Sequence, residues 1–367
     1  MTWIFVSLTA IYSAFLLFLA KGSAAIIRQD KTKADPEEHS SISIVIAARN
    51  ELHNLPNLLG SLARLDYPPE LFEIIVVNDH SIDGSREYLN TQTICPGMKV
   101  IHLYHDTAPL VGKKAALQQG IDAARHDILA FTDADCLVPS TWLSEINRSM
   151  DRETDYLLSY SVMKCSPEGT EFRLKNFERS IYYALASAGL YFHIPFTSSA
   201  CNMVYRKSLF MKSGGFDTIA QLRSGDDDLL LMKMMPYIRK AAYNPRSTMQ
   251  VVSLDGNDLA AHHHTNIRRA SKFRYYPLWL KGLALFVFAY FILFYLAIVN
   301  LAIAGFSYLL LGSLLLKTIA ELILSARHLV SIGKAKLSLL YPVQLLVFPA
   351  QFIFYALRGS FGKYRWK

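Results

Sequence analysis

The chain has 367 residues, 52% of them hydrophobic and 19% charged, with 21 Phe and 20 Tyr. Soluble globular domains sit near 45–50% apolar and about a quarter charged, so this balance argues against a wholly soluble protein, and the supply of core-forming side chains argues against a disordered one. Lys+Arg of 38 against Asp+Glu of 30 leaves +8, an excess suited to an anionic lipid surface or a phosphorylated ligand.

Met1 to Ala20 carries no charge, a length that matches a hydrocarbon core. Lys21, Arg28, Lys31 and Lys33 follow it, which places the N-terminus outside and the bulk of the chain in the cytoplasm. Ala24 and Ala25 resemble a cleavage site, but no basic segment precedes the apolar run, so 1–21 reads as an anchor. A polar linker over Lys31–Ser41 leads into a domain of ordinary globular composition, taken as 40–277. Four scattered cysteines (Cys95, Cys136, Cys165, Cys201) form no CxxC pair and read as reduced thiols in a cytoplasm-facing domain.

Within that domain, short β-branched runs at Ile42–Ala47, Phe72–Val77, Val100–Leu103 and Ile128–Thr132 alternate with helical patterns at Leu55–Leu65, Ser85–Thr91 and Lys113–Ala124. Such alternation predicts a parallel sheet covered by helices, with ligands bound beyond the carboxyl ends of the strands. The polar clusters Ala48–Glu51, Asn78–Ser85 and Asp133–Cys136 all follow strands and so converge on one sheet edge. Singly, each reads as turn or cap chemistry, above all Asp83 and Ser85. Asp133 and Asp135 straddle one residue, so in extended chain their charges repel unless a cation intervenes, and hard oxygen donors suit Mg²⁺ or Mn²⁺. Gly112-Lys113-Lys114 opens a helix where amides, dipole and lysine suit a phosphate. Asp226, Asp227 and Asp228 precede an apolar helix and exceed what capping needs, so one of them is a candidate general base.

The C-terminal region, 283–357, holds two uncharged or nearly uncharged stretches long enough to span, Leu283–Ile303 and Gly305–Leu324, with Lys317 and Glu321 spaced to pair on one helix face. Basic flanks from Arg268 to Lys281 and from Arg327 to Lys336 place both ends of that hairpin inside. A third stretch, Leu339–Leu357, is interrupted by Pro342 and Pro349; as a span it puts Arg358, Lys363, Arg365 and Lys367 outside, against the positive-inside rule, and the alternatives are an interfacial or a re-entrant segment.

Taken together, Ser43–Glu51, Asn78–Ser85, Gly112–Leu117, Asp133–Asp135, Gly214–Phe216 and Gly225–Asp228 resemble, in order and spacing, the membrane-bound family 2 glycosyltransferases. The likeness covers roughly residues 41–275. It implies an α/β GT-A fold, Rossmann-like with a mostly parallel sheet, framed by N- and C-terminal transmembrane helices. It further implies an inverting, Mg²⁺- or Mn²⁺-dependent enzyme that moves a sugar from a nucleotide-sugar donor, UDP-linked by preference; the membrane anchors point to a lipid-associated acceptor and their basic flanks to the cytoplasmic face of the cell (inner) membrane. By that resemblance Arg49, Glu51 and Asp79 contact the nucleoside, Lys113 and Asp133 the nucleotide, and Asp135 the metal; Asp227 is the base, with Asp226 as the alternative in a soft register. The family's Gln-x-x-Arg-Trp element has no Gln or Trp here: His262–Phe273 keeps only its cations, with Arg268 and Arg269 able to hold the diphosphate or to anchor beside the membrane. Of His262, His263 and His264, at most one can face a given ion. The aromatics of Ile181–Phe192 suit a core, an acceptor groove or a membrane-facing helix. A processive polysaccharide synthase and a non-catalytic membrane scaffold or nucleotide-sugar sensor are the alternatives; basic residues that hug the spans argue against nucleic acid.

Overall fold

The computed structural model describes residues 2–95, 97–104, 109–164, 169–254, 259–305 and 307–361. Cys165 and the basic residues Lys363, Arg365 and Lys367 lie outside them. The chain divides into two compact units, one of residues 25–168 and 189–257, the other of 1–24, 169–188 and 258–367.

In the first unit the strands are β1 (Ile42–Ala48), β2 (Phe72–Asp79), β3 (Lys99–Leu103), β4 (Ile128–Phe131), β5 (Cys136–Leu137), β6 (Thr154–Ser159), β7 (Ser161–Met163), β8 (Met203–Arg206), β9 (Lys240–Asn244) and β10 (Val251–Ser253). Seven of them form one sheet in the order β3-β2-β1-β4-β8-β6-β9. The pairs β1 with β2, β1 with β4, and β2 with β3 are parallel, as the alternation predicts. Only β8 runs against its neighbours, antiparallel to β4 and β6. A second sheet, β5-β10-β7, has strands of two or three residues, too short for any periodicity to announce them.

Helices α2 (Leu55–Leu62), α3 (Ser85–Thr91), α4 (Lys113–Ala123), α5 (Trp142–Ser149), α7 (Lys207–Lys212) and α8 (Asp228–Met234) complete this unit. Ile44, Val45 and Ile46 of β1 are all fully buried, because a parallel sheet is covered on both faces. Ile42, Ile44 and Ile46 join a core with Leu55, Leu58, Leu59 and Leu62 of α2 and Trp142 of α5. Val45 points the other way, onto α4 at Gly120: a Cβ there would lie 2.5 Å from Val45 Cγ1, so only glycine lets the helix seat so closely. Each buried Ile or Val contributes about 1.5–3 kcal/mol, and the face each one takes fixes which helix covers which side.

Helix α1 (Thr2–Lys31) runs ten residues past the expected anchor. The extension packs: Ile26 and Ile27 are buried, and buried Asp30 accepts a hydrogen bond from Arg148 Nη2 at 2.8 Å. An isolated run of charged and small residues carries no sign of these partners, which come from more than a hundred positions away.

The second unit holds the N-terminal part of α1, most of α6 (Thr170–Phe192), and α9 (Leu259–Ser271), α10 (Leu278–Ala304), α11 (Tyr308–Ser331) and α12 (Tyr341–Phe361). Among the described residues, four segments are long and apolar enough to cross a membrane: Thr2–Lys31, Leu278–Ile303, Tyr308–Ser331 and Ala335–Ser360. Lys317 and Glu321 pair on α11 at 2.7 Å as their spacing predicts, and Glu321 also accepts hydrogen bonds from Tyr12 at 2.8 Å and Tyr341 at 2.7 Å. Tyr12 stacks on Tyr290 with ring centroids 4.4 Å apart. An ion pair with every oxygen engaged is how a charged residue is accommodated among apolar helices.

Candidate active site

The carboxyl ends of β1, β2 and β4 lie side by side in the sheet, with Ala48 paired to Asn78 and Val45 to Phe131. The loops that leave them therefore share one edge, and the expected residues sit there.

The loops after β1 and β2 are stitched to one another. Asn50 N donates to Ser81 Oγ at 2.9 Å, and Ile82 N donates back to Asn50 Oδ1 at 2.9 Å. Glu51 N donates to Ser85 Oγ and Leu52 N to Asp83 Oδ2, both at 3.0 Å. Asp83 Oδ1 also accepts from Ser85 N at 3.0 Å and Ser85 Oγ at 2.6 Å. Burial opposes ionisation of Asp83, but hydrogen bonds from Ser85 and Leu52 outweigh it and hold the carboxyl below the usual range. Asp83 and Ser85 thus do the structural work expected of them. Asn50 and His80 adopt left-handed backbone, with φ of 54° and 55°, a conformation that costs a non-glycine residue of order 1–3 kcal/mol and persists where surrounding bonds enforce it.

Asp79 ends β2, buried, with Arg49 Nη1 3.7 Å from its Oδ2. The His80 ring donates from Nδ1 to Asp79 Oδ1 at 2.7 Å. Glu51 accepts from Asn54 Nδ2 at 2.7 Å. His80 is a partner of Asp79 that the sequence reading missed; its signal was only its place directly after the strand.

A few residues along the edge, charge replaces neutral bonding. Lys113, at the start of α4, ion-pairs with Asp133 Oδ1 and lies 3.5 Å from Asp226 Oδ2. The next residue, Lys114, is buried and donates to the carbonyls of Leu222 and Ser224. Two consecutive lysines thus tie the start of α4 to the loop that carries Asp226 and Asp227. Burial alone would lower the Lys113 ammonium, but Asp133 and Asp226 outweigh it and raise it above the ordinary lysine value. The same contact works in reverse on Asp133: burial raises its carboxyl, and Lys113 with a hydrogen bond from Cys201 brings it down.

The three consecutive aspartates separate by environment. Asp226 is buried against Lys113, and Asp228 is buried with Oδ1 accepting from Leu229 N at 2.8 Å. Asp227 caps α8, accepting from Asp228 N at 2.7 Å, and remains partly exposed. Gly225 (φ 99°) makes the turn before them; a Cβ there would come within 2.6 Å of Leu229 Cδ1.

Asp133 and Asp135 differ likewise. Asp133 is engaged on both oxygens, by Lys113 at Oδ1 and by Cys201 Sγ at Oδ2, 3.0 Å away. Asp135 is half-exposed, touched at Oδ1 by Cys136 Sγ at 3.3 Å. Both carboxylates are partly exposed, the donor type that Mg²⁺ or Mn²⁺ takes, but Asp133 already spends its two oxygens on Lys113 and Cys201, so Asp135 fits a hard cation better. Cys136 is a buried thiol, and Cys95, Cys136 and Cys201 are unbridged. Cys201 as a partner of Asp133 was missed, because 68 positions separate them.

Arg268 and Arg269 lie on α9, in the other unit. The Arg269 guanidinium stands 5.9 Å from the Tyr182 ring of α6. Beside it is Glu178, whose carboxyl burial pushes up against the opposing charge of Arg269. His263 Nδ1 is 3.2 Å from Tyr355 Oη, and the side chain of His262 lies outside the described residues. Of the Ile181–Phe192 aromatics, Tyr183 is buried and Tyr191 exposed.

With the fold and these contacts in place, comparison with known proteins is consistent. Residues 43–213 match the profile of Glycosyl transferase family 2. An undecaprenyl-phosphate 4-deoxy-4-formamido-L-arabinose transferase of Aeromonas hydrophila is 31% identical over 99 residues, 27% of this chain and 30% of that protein. A beta-monoglucosyldiacylglycerol synthase of Synechocystis sp. is 25% identical over 150 residues, 37% of this chain and 31% of that protein. The matched stretches thus span less than a third of either relative. Among solved structures, the mannosyltransferase PcManGT of Pyrobaculum calidifontis, in complex with GDP-Man and Mn²⁺, superimposes with a TM-score of 0.56 at 17% identity, covering 97% of this chain and 99% of that one. That level of likeness speaks to fold. Residues 43–213, with their mostly parallel sheet and the acidic loops at its edge, are therefore a family 2 glycosyltransferase domain on a GT-A fold.

Proposed function

We propose that the chain is an inverting, metal-dependent glycosyltransferase of the cytoplasmic membrane face, moving a sugar from a nucleotide donor, UDP-linked by preference, to a lipid-linked acceptor. The observation that carries this reading is the bridge made by Lys113. One ammonium joins Asp133, beyond β4, to Asp226, beside Asp227, which supports a reading in which Lys113 meets the diphosphate next to the candidate base. Four apolar helices and relatives whose names include undecaprenyl phosphate and diacylglycerol support the membrane and lipid clauses.

In this reading Arg49, Glu51 and Asp79 receive the nucleoside and Lys113 balances the charge of the diphosphate. Asp227, the partly exposed member of its triplet, takes the proton of the acceptor hydroxyl as that oxygen attacks the anomeric carbon. The bond to the diphosphate breaks on the opposite face, which inverts the centre. A divalent cation held through Asp135 would supply positive charge beside the departing diphosphate. The Tyr182 and Glu178 contacts of Arg269 support an anchoring role for its charge over a diphosphate role.

Asp227→Asn keeps shape and cap while removing the base, so kcat should fall by about 10²–10⁴-fold with donor affinity nearly unchanged. Turnover by the variant at the wild-type rate would remove Asp227 from the mechanism. Asp135→Ala should abolish the gain in donor affinity that Mn²⁺ gives; the same gain in both proteins would refute the metal assignment.

A further inference from the structure

Beside the carboxylates lies a group of a different chemical character. Cys136 opens β5, directly after Asp135, and Cys201 stands in the turn leading into β8. One ligating atom from each of Asp133, Cys136 and Cys201 lies within 4.8 Å of the other two. Cys201 Sγ is 3.0 Å from Asp133 Oδ2, while Lys113 is on Oδ1. A tetrahedral Zn²⁺ with metal–sulfur bonds of about 2.3 Å needs its sulfurs only ~3.8 Å apart, so small side-chain shifts close the set. Cys136 is fully buried, and Cys201 and Asp133 are partly exposed, so the group has a packed base and an open side.

We propose that Cys136, Cys201 and Asp133 form a binding site for a thiophilic divalent cation, Zn²⁺ being the natural occupant. Two thiolates and one carboxylate are a soft donor set that selects Zn²⁺ over Mg²⁺ or Mn²⁺. Three protein ligands leave a fourth position for water or a ligand atom. Binding releases the two thiol protons to solvent and changes no oxidation state. Lys113, hydrogen-bonded to the other oxygen of Asp133, orients the carboxylate as outer partners of metal ligands do. The cation would staple the acidic turn after β4 to the turn before β8. This site adjoins the hard-cation position given to Asp135, whose Oδ1 lies 3.3 Å from Cys136 Sγ, but differs from it in donor set, and its test involves no sugar transfer.

The test is a Co²⁺ titration of the full chain in detergent with a phosphine reductant. About one equivalent should produce a near-ultraviolet thiolate-to-cobalt band and the intense visible bands of tetrahedral cobalt. One equivalent of Zn²⁺ should bleach them and a hundredfold excess of Mg²⁺ should not. Cys136→Ser and Cys201→Ser should each lose the thiolate band, and Asp135→Ala should retain it. Wild-type protein without such a band, or a band that survives both serine variants, would overturn the proposal. Should a serine variant fail to fold, alkylation of the wild type decides. Zn²⁺ should slow modification of Cys201, the partly exposed thiol of the set, by a maleimide at least tenfold, and no slowing refutes the site.

Discussion

The two halves of the site edge are built by different physics. After β1 and β2, neutral amides and hydroxyls interlock around Asn50, Ser81, Asp83 and Ser85, tightly enough to hold Asn50 and His80 in left-handed backbone. After β4, position depends on Lys113 among Asp133 and Asp226. The first half is shaped before any ligand arrives. The second is a balance of opposite charges that a diphosphate, itself anionic, is suited to rearrange. In the proposed function the shaped half receives the nucleoside and the charged half the leaving diphosphate.

The largest effect that would break this contrast is on the charged side. Lys113→Met leaves Asp133 and Asp226 without their shared cation, and donor affinity should fall by about 10–100-fold, the worth of a charge-assisted bond. Raising salt should weaken donor binding in the wild type and less in this variant, because the variant lacks the Lys113 charge that salt would screen. A salt dependence identical in both would show that the lysine does not meet the donor.

On the neutral side, Asp83→Ala removes acceptors for Leu52 N, Ser85 N and Ser85 Oγ and should cost about 1 kcal/mol of stability, read as a lowered Tm, with the salt dependence of donor binding intact. Its pH signature has a definite sign. Because the folded protein holds the Asp83 carboxyl below its ordinary value, the stabilisation is present above the unfolded carboxyl pKa and is lost as pH falls through the folded one. The Tm gap between wild type and Asp83→Ala should therefore be constant above about pH 5 and shrink in more acid solution. A gap that widens in acid would contradict the assignment. The smallest effect belongs to Asn50→Gly, which relieves left-handed strain but loses the bond from Ile82 N. These offsetting terms of about 1 kcal/mol each should leave Tm almost unmoved, while Asn50→Ala, with strain kept and bond lost, should lower it.

How much of this was legible beforehand follows the range of the interactions. The four parallel strands and the helices between them rest on periodicity and turn residues within a dozen positions, and their bounds are met to within a few residues. The acidic clusters were placed by one topological rule, that strand ends carry sites. Illegible were features made by partners far apart in sequence: antiparallel β8, the short second sheet, Asp30 with Arg148, and Cys201 on Asp133. Lys113 and Lys114 are instructive between these limits. The pair was readable as a helix start facing phosphate, but not that one lysine would serve carboxylates and the next backbone carbonyls.

That division of labour constrains α4 as a machine part. Successive residues on a helix point about 100° apart, so the rotational setting of α4 alone decides which ammonium reaches the carboxylates. Gly120, pressed on Val45 at the far end, leaves the helix no room to turn or lift. Inserting or deleting one residue between positions 113 and 120 would carry one lysine into the other's place and the second away from its client, or force the glycine out of its seat. The stretch should thus tolerate exchange of its outward side chains yet admit no change of length.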